Sequence, residues 1–456
     1  MSIKYLVEEN LIPHDGSKEI INNFYTKTKD KNLEIVIYPD VHYKKGARIV
    51  NGMLTASDSF IYPAMLGVAN CGFTFGRVKN VFIDDREKLE ETFNEYSKIL
   101  KAYNSTYIYT ENEIYNKFYD YLEKFYYDEK YKYLFEFVGI DSLEDLKKSV
   151  KEVLTKKQID TARKTLGTLG GGNHFFELQY VEESYNKDFL KGEIIFILHS
   201  DSIAVGDRIN LLFSNLSELD RLKFKPKGEL IRLVNRLRQI KYFMLKTKLF
   251  WKEPKEVLNL IFSNNDFRTI NANTNTGKTL IKAFFLASIF GDMNRDTILE
   301  NYEKVAKNII PDIKLEILGS HSHDSLMVEK YEDKYKIVQR NGVQRVKEDK
   351  YFVLPGALGT ESYIMENPYN ENIFYSSNHG VGRFLDKHIA KKEFDENTTE
   401  VELKKRNMKL YRVGNGNISE QNPNAFKDVS KVTEIMKKKN IGKKAAKLRP
   451  ICSMKG

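Results

Sequence analysis

Histidine and cysteine stand at the ends of apolar runs in four well-separated segments. These are GVANCGF around Cys71, GTLGGGNHFFE around His174, IIFILHSDS around His199, and EILGSHSHDS around His321 and His323. A fifth segment, SSNHGVGR, sets His379 among glycines. The chain has only eight histidines and two cysteines, so this gathering is not a background effect. Thiolate and imidazole donors at strand ends point to a metal site. A histidine flanked by glycines points to a nucleophile or a phosphate-handling group.

Such groups need elements to hold them. LEIVIY (33–38), EIIFIL (193–198) and KLEIL (314–318) are short β-branched runs that end in Gly, Pro or Ser, which predicts buried strands. Helical spacing covers 83–102, 142–156, 226–250 and 278–292, with Ser142 as an N-cap and Asp145 in the capping-box position. Strands and helices do not alternate regularly, so the expectation is α+β and not a doubly wound sheet. The Lys-rich stretch 387–449 reads as a solvated face or, more sharply, as a phosphate contact.

The remaining composition narrows the class. At 456 residues, 41% hydrophobic and 30% charged, the chain fits one large globular domain or two ordinary ones. A net charge of +10 with abundant Tyr and Phe favours an anionic partner, nucleic acid above all, although a genome rich in Lys, Tyr and Asn codons gives the same balance. Two distant cysteines make no disulfide framework, and MSIKYLVEEN has no apolar signal core. The expected compartment is the cytoplasm.

ANTNTGKT (272–279) loosely matches a phosphate-binding P-loop. A P-loop needs a buried strand just before it, and SNNDFRTIN is polar. The expectation is instead a helix start near Gly277, capped by Thr276 or Asn275.

Taken in order, YPDVHYKKGA (38–47), YPAMLGVANCG (62–72), GTLGGGNHFFE (167–177), LHSDS (198–202), HDSLMVE (323–329), LPGALGTES (354–362), HGVGR (379–383) and the closing LRPICSMKG resemble the motifs of the RtcB family of RNA ligases. The resemblance implies one α+β domain over 1–456, with mixed sheets around a central metal and nucleotide cleft. Divergent helical segments at about 81–160 and 209–262 would shape RNA access. It implies a GTP- and manganese-dependent ligase that joins 2′,3′-cyclic phosphate or 3′-phosphate RNA ends to 5′-hydroxyl ends. The protein would be a monomer, and an accessory activating protein is compatible with this reading.

Carried over by motif, His379 would be the guanylylated nucleophile. Cys71, His199 and His323 would hold one Mn2+ ion, and Cys71 and His174 would contribute to a second. Glu177 would read the guanine edge and Asn173 would touch phosphate. The nucleotide site would also draw on His174, Phe175, Phe176, His323, Asp324, Pro355, Gly356, Ala357, Leu358, Ser362, His379, Gly380, Val381, Gly382 and Lys455. Asp40 and His42 would orient His379 or handle the cyclic phosphate, and Arg383 would bind RNA phosphate.

Three departures stand out. The family has an Asp shortly before the cysteine, where this chain has Val68 and Ala69. Asn70 could replace it only as a neutral ligand, and Asp201 could supply a carboxylate from another loop. Ile203 replaces an arginine and Asn341 a lysine. The pattern suits a divergent ligase. It also suits an impaired paralogue that binds RNA ends, or a metal-dependent cyclic phosphohydrolase.

Overall fold

β-branched and aromatic runs separated by polar turns pair into two large, mainly antiparallel sheets. The computed structural model describes residues 1–28, 30–43, 47–203, 205–206, 238, 240–241, 243–262 and 267–456, with the backbone alone described at 259–262. The expected helix at 226–250 and the divergent segment at 209–262 therefore lie partly outside the described residues.

The larger sheet has eight strands. Its order is Tyr351–Leu354, Ser362–Glu366, Lys443–Lys455, Phe175–Ser184, Glu193–Ser200, Gly72–Phe82 and Lys314–Ser322, each antiparallel to the next. Lys409–Arg412 adds a parallel partner to Lys443–Lys455. The smaller sheet runs Ser2–Tyr5, Glu34–His42, Asn51–Ser57, Lys334–Asn341 and Asp324–Tyr331.

Three strands run further than their apolar cores predict. They extend to His42, Ser200 and Ser322, so Asp40, His42, His199 and His321 lie within paired strands and not on loops beyond them. Cross-strand register carries the pairing through His199 and His321, and it resumes at His42 after a break that contains Asp40. Lys455 faces Phe175, Phe175 faces His199, and His199 faces Phe73. Directly opposed residues share a face, so one row crosses four strands with a lysine at one end and a metal-type donor inside it.

Behind this sheet pack Phe176, Leu178, Phe196 and Leu198, with Phe93, Tyr96 and Tyr302 from helices. A 32-residue helix, Asn275–Ala306, extends well beyond the expected 278–292. Its polar Asn294 and Arg295 interrupt the apolar pattern, yet both are fully buried because both are hydrogen-bonded. Its N-cap is Thr274, whose hydroxyl accepts from Gly277 N–H, one or two residues earlier than expected. Lys278 lies over the Phe137 ring.

The segment 81–160 is mostly helical. Arg86–Ile99, Glu111–Tyr126, Lys132–Val138 and Leu143–Val153 follow one another. Ser142 caps the last of these by accepting from Asp145 N–H. Among the described residues, no helix is long and apolar enough to cross a membrane.

Candidate functional site

The ends of both sheets converge on a cleft of about 630 Å³. That volume suits a nucleotide-sized ligand. Nearly every site residue expected from sequence lines it: His42, Cys71, Asn173, His174, Phe175, Glu177, His199, His323, Asp324, residues 355–358 and 379–383, and Lys455.

Asp40, Ser362 and Phe176 do not line it. Asp40 and Ser362 sit one layer back and hydrogen-bond to the cleft residues His379 and Gly356. Phe176 points the other way, into the core behind the sheet, because alternate strand residues face opposite sides. Its ring packs on Phe93 and Tyr302, so it cannot reach a ligand in the cleft.

At the centre is a cluster of soft and borderline donors. Cys71 Sγ lies 3.5 Å from His174 Nε2 and 3.4 Å from His199 Nε2. His199 Nε2 lies 3.0 Å from His323 Nε2. Among the described residues, two donor sets have all their ligand atoms within 4.8 Å: Cys71, His174 and His199, and Cys71, His323 and Asp324. Burial pulls His174 down to about 3, His199 well below its ordinary value, and His323 down against the opposing pull of Asp324. Neutral imidazoles facing a thiol present lone pairs to a common space, which a divalent cation satisfies. His199 Nδ1 lies 3.3 Å from the Asn173 carbonyl, which turns Nε2 toward the cluster.

The backbone stitches these donors together. His323 N–H and Asp324 N–H both donate to the Cys71 carbonyl, and Asn70 N–H donates to the Asp324 carbonyl. Beneath them Arg295 is fully buried. Its guanidinium donates to the carbonyls of Asn70 and Ser200, to Asn70 Oδ1, and to Thr74 Oγ1. One side chain thus braces the Cys71 loop and the strand end that carries His199. Sequence reading missed Arg295, because nothing local marks a mid-helix arginine as buried.

Asn70 does not act as a neutral ligand here. Its Oδ1 accepts from Arg295, and its Nδ2 donates to the Ser288 carbonyl at 2.7 Å. Asp201 does face the cluster: its Oδ2 lies 3.4 Å from His174 Nε2. Burial raises Asp201 to about 6.

Beside the cluster stands His379, its ring centroid 4.9 Å from that of His323. Asp40 Oδ2 binds both its backbone N–H and its Nδ1. Burial pulls His379 down, and Asp40 with Asp324 more than reverses this, leaving its pKa raised. Asp40 takes Nδ1, which leaves Nε2 as the other ring nitrogen, and the ring also meets the Gly342 backbone. Gly382 has a φ of +75°, and a Cβ there would stand 2.5 Å from the Asp40 carbonyl oxygen, so only glycine fits. Lys427, also missed in the sequence, donates to the carbonyls of Pro39 and Val41 and fixes the backbone on either side of Asp40. His42 is committed to Asn51 Nδ2 and the Asp40 carbonyl, and burial pulls it to about 3.

The opposite wall carries Glu177 and Lys455. Burial raises Glu177, which accepts from Gln179 Nε2. Gln179 also donates to Ser362, and Ser362 accepts from Gly356 N–H. This chain of contacts ties Glu177 to the loop 355–358. Burial, with Lys387 nearby, pulls Lys455 down to about 7. Arg383 is buried over the Phe426 ring and donates to the Glu420 carbonyl. Its Nη2 has no hydrogen-bond partner among the described residues. Arg48 and Lys387, which sequence reading did not single out, add positive charge to the wall.

A family model described as tRNA-splicing ligase RtcB matches residues 27–456. The tRNA-splicing ligase RtcB of Thermococcus kodakarensis is 25% identical over 67% of this chain and 62% of its own length. That of Aeropyrum pernix is 25% identical over 64% and 59%. The RNA-splicing ligase RtcB of Escherichia coli K12 is 24% identical over 92% of this chain and 89% of its own length. The chain thus spans about three fifths of the archaeal relatives' length and most of the bacterial one's.

Proposed function

The chain belongs to the RtcB family, and on that premise we propose that it is a GTP-dependent RNA ligase joining 3′-phosphate or 2′,3′-cyclic phosphate ends to 5′-hydroxyl ends. One observation carries the reading. His379 has Nδ1 held by a buried carboxylate, which makes Nε2 its nucleophilic nitrogen, beside a donor cluster suited to metal and in the same cleft as Lys455 and Glu177.

A 3′-phosphate offers no leaving group, so it must first be activated. His379 Nε2 attacks the α-phosphorus of GTP, the bond to pyrophosphate breaks, and a phosphoramidate forms. Asp40 holds the Nδ1 proton and stabilises the positive charge that develops on the ring. The RNA 3′-phosphate oxygen then takes GMP from the histidine, and the 5′-hydroxyl oxygen attacks that phosphate and displaces GMP. A cyclic phosphate is first opened by water.

Cys71, His199 and His323 would hold one divalent ion, read as manganese, and Cys71 and His174 would contribute to a second. Bound there, such ions neutralise charge on phosphoryl oxygens. Lys455, Arg383 and Asn173 orient the phosphates, and Glu177 accepts from the guanine edge. Residues 1–456 act as one domain, with RNA entering past the segments near 81–160 and 209–262.

The test is covalent labelling with α-labelled GTP and manganese, with His379→Ala as control. A label lost in the variant, followed by joining of cleaved RNA, supports the ligase. No label from folded, metal-loaded protein overturns it in favour of an RNA-end-binding paralogue. Opening of cyclic ends without joining would point to a phosphohydrolase.

A further inference from the structure

The loop that bears Cys71 offers no oxygen ligand. Val68 and Ala69 carry no donor, and Asn70 has both side-chain polar atoms committed to Arg295 and Ser288. A site built on Cys71 and His174 alone would have one sulfur and one nitrogen, a soft pair ill matched to a hard divalent ion.

A carboxylate arrives from a different strand end. Asp201 follows the strand Glu193–Ser200 and lies two residues beyond His199. It is 9% exposed and lines the cleft. Its Oδ2 stands 3.4 Å from His174 Nε2, and the same nitrogen stands 3.5 Å from Cys71 Sγ. Neighbouring ligands on an ion with bonds of about 2.0–2.3 Å are roughly 3–3.7 Å apart, so both separations match edges of a coordination shell.

The other oxygen of Asp201 accepts from Ile203 N–H. That bond closes a tight turn, in which Ile203 has a φ of +48°. The turn fixes the carboxylate and leaves Oδ2 toward the cleft. Asp201 is outside the two tightest donor sets, so ion binding must turn its side chain, or that of Cys71, inward around the shared His174.

We infer that Asp201 is the carboxylate ligand of a divalent-cation site with Cys71 and His174, supplied by the strand end of His199 in place of the Cys71 loop. This deepens the ligase reading and rests on it for the identity of the ion. A hard oxygen restores charge and affinity for a hard cation, and its removal shifts the site toward softer ions such as Zn2+.

The experiment is manganese binding to the purified full-length chain, without GTP or RNA, by titration of the free-ion paramagnetic signal. Asp201→Asn keeps the acceptor for Ile203 N–H and removes the charge. Asp201→Ser serves if that variant does not fold, with unfolding midpoints in chelator verifying the fold of each. The expected result is two bound ions in the parent chain, and in the variant one ion retained while the other weakens at least tenfold. Two ions bound equally by variant and parent would overturn the inference, as would a parent chain that binds fewer than two. Covalent labelling by GTP is scored separately. Failure to label sinks the ligase reading while leaving the titration to decide on Asp201.

Discussion

Asp40 Oδ2 accepts two hydrogen bonds from His379, at 3.0 Å from the backbone N–H and 2.6 Å from Nδ1. The pair joins residues 339 positions apart, His379 on the cleft wall and Asp40 one layer behind it. The backbone contact sets the position of the ring, and the side-chain contact sets its tautomer. Asp40→Asn keeps the size and can offer an NH2 group to Nδ1, which favours the wrong tautomer. Single-turnover labelling by GTP should fall on the order of 10²–10⁴-fold, with binding of GTP little changed. A labelling rate equal to the parent's would rule out this role.

Cys71 belongs to both tight donor sets. Manganese at about one hundred times its dissociation constant should raise stability by about 2.7 kcal/mol over the chelated protein. Cys71→Ala should abolish that increment, whereas His174→Ala should reduce it. Thermal melts with and without chelator read this directly, and full retention of the increment in Cys71→Ala would remove the thiolate from the site.

Arg295 ties the Cys71 loop to the strand end of His199 while touching no ligand itself. Arg295→Met leaves buried carbonyls without donors and should cost about 3–5 kcal/mol. Arg295→Lys should recover part of the stability but less of the metal affinity, since an ammonium cannot span both loops as a guanidinium does. Parallel recovery of both properties would mean that Arg295 only supports the fold.

Glu329 is enclosed by Arg340 and Arg345. Burial alone would raise its pKa, and the two guanidinium charges outweigh that and hold it at about 2. A depressed carboxyl stabilises above its unfolded pKa of roughly 4.5 and loses that contribution as the pH falls toward 2. The contribution is about 3 kcal/mol. Glu329→Gln should be destabilised at neutral pH and show a flatter acid limb in denaturant titrations run between pH 2 and 5. A parallel acid limb in parent and variant would exclude Glu329 as the source.

Lys278 lies over Phe137 and follows a threonine-capped helix start. Lys278→Ala should leave GTP binding unchanged, whereas a P-loop would lose it. Equilibrium binding of a fluorescent GTP analogue distinguishes the two.

Much of the site was legible because its donors end apolar runs, and strand ends at a cleft are where a sheet can aim them. The α+β class followed from the irregular mixing of strands and helices. Phe176 was not legible: it sits between two cleft residues, and only the strand's alternation sends its ring to the far side. Strand ends were read short, because register and not residue preference carries the pairing through His199 and resumes it at His42. Arg295 and Lys427 look like ordinary solvated cations in one dimension. Their roles arise from carbonyls brought to them by other segments.

The strand Lys443–Lys455 joins Ser362–Glu366 on one side to Phe175–Ser184 on the other. Displacing this strand would therefore cut the eight-stranded sheet in two. Each part would then show a free edge of the kind that recruits stray strands. The same strand delivers Lys455, so the wall of the cleft that carries it is complete only when the strand is seated. Closing the sheet and finishing the cleft are thereby a single event.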